Sequence, residues 1–541
     1  MPIRRTAAAA LLALSVSVAI PRSAVAQPDA LRELRTRPER TEFRETSRYA
    51  DVVAFMEAVD RASPRVHLTT FGYTFEGRAL PLAVVGDVRD ASPEAVRASG
   101  KTVVYVQGDI HAGEVEGKEA LLALLRSIAL GEHAAWTDSL VLLVAPIFNA
   151  DGNERIALTN RPHQHGPVGG MGTRANAQEL NINRDFTKLD TPEARSLTAL
   201  IAAYDPHVLL DLHTTNGTYH AYHLTYAPPL HPNTDATIAR VLRDEWLPAV
   251  TAGAKRRGLD FWYYGNVPQA ESPWAAPRGS ARGWYSFDHR PRFSNNYWGL
   301  RNRFGILSET YAYLPFGPRI DAQRAFVEEV LDWAAAHATR IRRETAEADR
   351  RSVAGQTLAT TARFHDGGPI RILMGEVEED RNPYSGEPMM RRRDVVRPET
   401  MTDFSTFEAA ETERAPAGWY VPASLSTVVE RLRAHGVRME PLGREETVSV
   451  EEFAIDSTRV AAQASEGHKE RTVRGSWRAA TRTLPAGTLW VPVAQPLGRL
   501  AFTLLEPTSD DGFLAWGLMD DALGDLSRYP ILRRPAPPPA R

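Results

Sequence analysis

The sequence predicts an α/β fold, a sheet covered on both faces by helices, followed by a β-rich C-terminal domain of α+β type. Two observations carry the first part. Runs such as "KTVVYVQGD", "SLVLLVAP", "PHVLLDLH" and "RFGILSE" are continuously apolar in their centres, as strands buried on both faces must be. Amphipathic helical stretches lie between them, and strands alternating with helices make a layered α/β sheet. A third observation sets the end of the chain apart. After residue 355 the apolar runs shorten and Pro and Gly turns multiply.

Taken in order, the chain begins with Arg4 and Arg5, then an apolar stretch from Ala7 to Ile20, then Ala24-Val25-Ala26, which has the small-x-small form of a cleavage site. Residues 1–26 therefore read as a secretory signal peptide, short for a membrane span. No later segment is long and apolar enough to span, so the mature chain is expected to be soluble and exported. Residues 27–45 read as a linker too short for a folded pro-segment, and the mature chain is expected to act without further cleavage. "YADVVAFMEAVDRAS" has helical spacing, and "RVHLTTFGYTFEGRALPLAVVGD" reads as a strand hairpin. Lys101 to Asp109 is a strand, and Gly117 to Leu130 is a helix. "SLVLLVAPIFNADG" is a strand ending in turn residues. "TPEARSLTALIAAY" starts with a Thr cap and Pro in the first turn, a helix start. "PHVLLDLHTT" and "RFGILSETYAY" are further buried strands, and one long helix is expected from Ile320 to Asp349.

Residues 46–350 form the first domain in this reading and 351–541 the second. In the second, "IRILMGEVE", "TLWVPVA" and "LAFTLLEP" read as strands, "SLSTVVERLRAHG" as a helix, and "RRPAPPPAR" as a loose tail. It offers no chemical constellation, and His435 and His468 lack partners at ligand spacing.

The 541 residues include 64 basic and 67 acidic side chains, a net charge of −3. This gives no case for nucleic acid or an anionic membrane as partner. There are no cysteines. Thiol catalysis, Fe–S clusters and thiolate zinc sites are thereby excluded, and any metal must be held by His and carboxylates.

His111 and Glu114 stand just past the end of one predicted strand, His213 at the end of a second, and Glu309 at the end of a third. Ligands of open α/β sheets bind outside the carboxyl ends of the strands, so these four share one address. Two His and one Glu are a common catalytic zinc set, and a free carboxylate such as Glu309 can move the proton of an attacking water. Asp211, two before His213, faces the same side of a regular strand and is a candidate partner for a ligating His, although His111 has its own neighbour, Asp109. "GTRANAQELNINRDF" holds two arginines and several asparagines, a grouping suited to gripping a carboxylate and an oxyanion. Glu116 and Glu119 are expected to be solvated. "FWYYG" is expected to pack. "RPHQHGP" and "TYHAYHLTY" are expected to be loop histidines, with His220 and His223 near the cleft.

These residues resemble the zinc metallocarboxypeptidases of the carboxypeptidase A and D type. The likeness runs from about Ser47 to Phe316. It comprises His-x-x-Glu after a strand, "NADG" at Asn149 to Gly152, Arg174 nine residues before Asn183-Arg184, and a strand-borne His and then Glu. Ala150 stands where the family usually has Pro, and Asn181 where it often has Asp. The interval from Glu114 to His213 is short for the family. The resemblance implies a mixed, mostly parallel eight-stranded sheet and one Zn2+ per chain, held by His111, Glu114 and His213. It implies Glu309 as general base and acid, Arg174 on the oxyanion, and Asn183 and Arg184 on the terminal carboxylate of a peptide. Tyr285 is the nearest candidate for the family's substrate-capping tyrosine, with Tyr297 second. The specificity pocket falls in "DHRPRFSNNYWG", where Arg290 and Arg292 weakly hint at an acidic side chain. Two other readings stand beside this one: a zinc amidohydrolase acting on N-acyl amino acids or peptidoglycan stem peptides, and a non-catalytic peptide binder. The oligomeric state and preferred residue are not legible.

Overall fold

The computed structural model describes residues 28–268, 280–523 and 527–537. The signal peptide read in residues 1–26 lies outside them. Nine strands carry the first part: β1 (Val66–Tyr73), β2 (Ala79–Val85), β3 (Thr102–Gly108), β4 (Leu140–Ala145), β5 (Val208–Thr215), β6 (Leu224–Ala227), β7 (Phe261–Tyr263), β8 (Gly283–Tyr285) and β9 (Phe304–Tyr311). Eight of them form one sheet in the order β1-β2-β4-β3-β5-β9-β6-β7. The four central strands β4, β3, β5 and β9 are parallel, while β1 and β2 form an antiparallel hairpin and β6 runs antiparallel to β9. The sheet is thus mixed with a parallel centre.

Every residue of β3, β4 and β5 is buried. Alternate residues explain the continuous apolar runs. Val104 and Val106 of β3 pack toward helices Tyr49–Ala62, Glu116–Ala129 and Phe316–Ala336. Val103 and Tyr105 pack on the opposite face, toward helix Pro192–Tyr204. That second cluster continues without a break into the C-terminal region, through Trp419, Leu500 and Phe513. Strand β8 does not join the main sheet. It pairs in parallel with the C-terminal strand Arg397–Phe404.

Three elements differ from the sequence reading. The long helix is two, Phe316–Ala336 and Ala338–Arg350, interrupted at His337, whose φ of −117° leaves the helical region. "LAFTLLEP" is not a strand but part of helix Gly498–Leu505, buried at every residue. A short, mostly apolar run has too little period to separate a buried helix from a buried strand. The predicted linker contains two short helices, Pro28–Glu33 and Arg37–Arg40, the second with a Thr36 capping box. Among the described residues no helix is long and apolar enough to cross a membrane.

Candidate active site

The site is assembled by strand register. β5 and β9 run parallel with His213 directly paired to Glu309, and β3 lies on the other side of β5 with Gln107 paired to Asp211. The carboxyl ends of three adjacent strands therefore meet. Past β3 the chain turns through Asp109, whose φ is +66°, and Glu114 N–H donates to the His111 carbonyl at 2.8 Å. This single turn puts both side chains on the strand end. Helix Glu116–Ala129 then passes close over β5: a Cβ on Gly117 would lie 2.8 Å from Leu212 Cβ, so only glycine fits.

His111, Glu114 and His213 are buried, with one donor atom of each lying within 4.8 Å of the others. Their outer partners fix the ring orientations. Asn181 Oδ1 accepts the Asn183 backbone N–H at 3.0 Å, which marks it as the oxygen, and it lies 2.9 Å from His111 Nε2. The Asp211 carboxylate lies 2.9 Å from His213 Nε2. Both Nε2 atoms are thus the proton-bearing ones, and both Nδ1 lone pairs turn inward. There His111 Nδ1 faces Glu114 Oε1 at 3.0 Å, and His213 Nδ1 faces Glu114 Oε2 at 2.8 Å. The two Nδ1 atoms are 3.2 Å apart. Acceptors converging in this way call for a cation, and an N, O, N set suits zinc. Burial, with Arg174 beside it, lowers His111 to about 3. For His213 burial acts in the same direction, but Asp211 and Glu114 outweigh it and hold the ring up at about 10. Without a metal, the Glu114 charge is met by Arg161 and Arg174 as well as by His213.

A cavity of about 1260 Å³ opens over this cluster. Glu309, Arg174, Asn183 and Arg184 all line it. Burial pushes the Glu309 carboxyl up to about 8, with the Glu114 charge adding to the shift against His213 and Arg174. Arg174 reaches Glu114 Oε1 at 3.5 Å and His111 Nδ1 at 3.3 Å. Asn183 Nδ2 lies 3.3 Å from His213 Nε2, and Asn183 Oδ1 accepts from Ser294 N at 3.1 Å. The Arg184 guanidinium stacks 3.8 Å over the Phe293 ring. Burial, then the neighbouring Arg174, lowers Arg184 to about 9, so its buried charge favours an anion placed there.

Tyr285 does not face the cavity. It lies in β8 with its ring stacked on Phe404 at 4.3 Å, and its hydroxyl donates to the Ala281 carbonyl at 3.1 Å. Strand pairing with the C-terminal region turns it away. Tyr297 is also buried elsewhere, its hydroxyl 2.8 Å from His435 Nδ1. The tyrosine that lines the cavity is Tyr264, from the stretch read as packing. Its hydroxyl accepts from Asn266 at 2.9 Å, and burial together with the Glu309 charge raises its pKa.

Arg161 also went unseen in the sequence. It reaches Glu114 Oε1 at 2.5 Å, through space that a side chain at Gly113 would fill, since a Cβ there would meet Arg161 Cγ at 2.7 Å. The Gly in His-Ala-Gly-Glu was its only signal. Glu116 and Glu119 are buried, contrary to the solvated reading. Glu116 pairs with the fully buried Arg319 and accepts from Thr214, and Glu119 accepts from Thr46 and Ser47. Helical position alone did not reveal that this helix is covered on all sides. His220 and His223 do not line the cavity, whereas His163 does. Arg290 is held by Asp288 at 2.6 Å, and Arg292 by Asp511 and Glu470 at 2.8 and 2.7 Å, so both are matched within the protein. The C-terminal region is part of the site: Phe364, Phe407, Glu466, Glu470 and Asp510 line the same cavity. His435 and His468 do have partners, the Thr187 carbonyl at 3.1 Å and Asp190 at 2.7 Å.

Residues 52–294 match the zinc carboxypeptidase family. Through this segment the chain is similar to the zinc carboxypeptidases. The matched segment spans His111, Glu114, Arg174, Asn183, Arg184 and His213 and ends before Glu309. Carboxypeptidase 2 of Trichophyton tonsurans is 24% identical over 481 residues, covering 85% of this chain and 81% of that protein. Carboxypeptidase 2 of Trichophyton rubrum is 24% identical over 483 residues, with the same coverage. The crystal structure of a metallo-carboxypeptidase from Burkholderia cenocepacia matches with 16% identity and a TM-score of 0.39, covering 54% of this chain and 70% of that one. The family match and the named relatives support a hydrolase of peptide bonds. That family is zinc-dependent, and the buried His111, Glu114, His213 cluster is the group suited to the metal.

Proposed function

We propose that the chain is an exported metallocarboxypeptidase that removes the C-terminal residue of peptides, with one zinc ion held by His111, Glu114 and His213. The leader read in residues 1–26 supports the export. The observation that carries the chemistry is the pairing of Glu309 with His213 across β5 and β9, which sets a free carboxylate beside the ligand cluster in a cavity that also holds Arg184.

Zinc held there lowers the pKa of a water to about 7 and polarises the scissile carbonyl. The rest falls to side chains. Glu309, half-buried at the end of β9, accepts the proton of the attacking water and delivers it to the leaving amine. Arg174 donates to the oxyanion as it forms. Asn183 and Arg184 grip the terminal carboxylate, Arg184 with its planar fork braced on Phe293. That Tyr264 lines the cavity within reach of the Glu309 charge supports it as the group that covers the bound end.

The test is mass spectrometry of a peptide pool incubated with zinc-loaded protein, half with free and half with amidated C-termini. Stepwise loss of single residues from the free-ended peptides alone is expected. Internal cuts, or no cuts in either set, would overturn the reading and move the search to N-acyl amino acids and cell-wall stem peptides.

A further inference from the structure

The C-terminal region brings an anion to the arginines of the cleft. Its long antiparallel pair, Glu446–Val460 with Arg471–Leu484, ends in a tip that reaches the loop carrying Arg174 to Arg184. The tip is pinned. Ser465 and His468 exchange backbone hydrogen bonds of 2.7 and 3.0 Å, and His468 Nε2 lies 2.7 Å from Asp190. Between them Glu466 has a φ of +49°, a conformation that only a held turn keeps in a residue with a side chain. Its Oε2 accepts the Asn181 N–H at 2.8 Å, two residues before Asn183. Glu466 lines the cavity together with Arg174 and Arg184, and its charge acts on both guanidinium groups. Arg290 and Arg292, which could otherwise draw an acidic side chain, are already matched by Asp288, Asp511 and Glu470.

We propose that Glu466 is a specificity-determining residue: its carboxylate, fixed at the Asn183–Arg184 end of the cleft, disfavours peptides whose C-terminal side chain is anionic. The proposal rests on the carboxypeptidase reading. Like charges held near each other in a partly dry cleft repel, and discrimination by such repulsion needs no new attractive contact. A peptide ending in Glu therefore binds less well than the same peptide ending in Gln, which has the same shape.

The test compares kcat/KM for this pair of peptides in the zinc-loaded full chain, in wild type, Glu466→Gln and Glu466→Ala. Glu466→Gln keeps an oxygen for the Asn181 N–H and removes the charge. The ratio is read within each variant, so a fraction of misfolded protein cancels. We expect the wild type to favour the Gln-ended peptide about tenfold or more, and both variants to narrow that ratio about fivefold or more. A ratio unchanged within about twofold in both variants overturns the proposal while leaving the carboxypeptidase reading intact. Cleavage of neither peptide by zinc-loaded wild type overturns that reading and this proposal with it.

Discussion

Asp211 links the centre of the sheet to the proposed metal ligands through His213, and Asp211→Asn isolates its charge. Asp211 is fully buried at the centre of β5. Oδ2 accepts from Ser294 Oγ at 2.6 Å and lies 2.9 Å from His213 Nε2, while Oδ1 accepts from Gln107 at 2.9 Å. Burial alone would raise its pKa, but the His213 charge and these donors outweigh it and hold the carboxylate below its ordinary range. In the Asn variant the amide oxygen can keep His213 and Ser294. Its NH2 then faces Gln107, whose amide can turn because its other partner, Tyr105, has a hydroxyl able to donate or accept. The substitution thus removes a charge with little loss of shape or hydrogen bonding. What it removes is the negative charge that makes His213 a more basic ligand, while the tautomer stays fixed. Outer partners of this kind contribute about 10–100-fold in metal affinity, equivalent to about 1.4–2.7 kcal/mol. The assay is zinc competition against a chromophoric chelator, with circular dichroism to confirm the fold. A zinc affinity within about twofold of wild type would refute the argument that the Asp211 charge strengthens His213 as a ligand.

Four further outcomes follow from the same geometry. Glu309→Gln is expected to bind one equivalent of zinc and to lose at least about a thousandfold in kcat, since it can no longer take up a proton; near-normal turnover at full zinc occupancy would remove Glu309 from the proposed chemistry. Zinc affinity should strengthen as pH rises from about 6 toward 9, because His213, held at about 10 without metal, must release its proton to become a ligand; a flat profile in a titration at several pH values would contradict the assignment. Glu116→Ala strands the Arg319 guanidinium, which is fully buried. The four backbone carbonyls that accept from Arg319 soften the loss, so it should lie near the lower end of about 3–5 kcal/mol in urea unfolding. Gly117→Ala should cost about 1–3 kcal/mol, because its Cβ would press on Leu212, next to His213; unaltered unfolding and zinc affinity would mean that the helix moves away freely.

The sequence by itself determined the sheet and pointed to His111, Glu114, His213 and Glu309 at its edge. The central strands are buried on both faces, so their apolar runs are unmistakable, and His111, Glu114, His213 and Glu309 each follow or end such a run. Their chemistry is local to strand ends and needs no knowledge of neighbours. The loop proposed to grip a carboxylate was legible for the same reason, since Arg174, Asn183 and Arg184 lie within one short segment. What only the tertiary structure decided concerns pairings between distant segments. The register of β5 against β9 put Glu309 opposite His213. Pairing of β8 with Arg397–Phe404 turned Tyr285 onto Phe404 and left Tyr264 in the cavity. The space above Gly113 admitted Arg161, and the C-terminal hairpin tip brought Glu466 to Asn181. Glu116 and Arg319, far apart in the chain, became a buried pair. Each of these depends on side-chain direction and close approach across the fold, which spacing along one chain does not encode, because a shift of one residue in register sends a side chain to the opposite face.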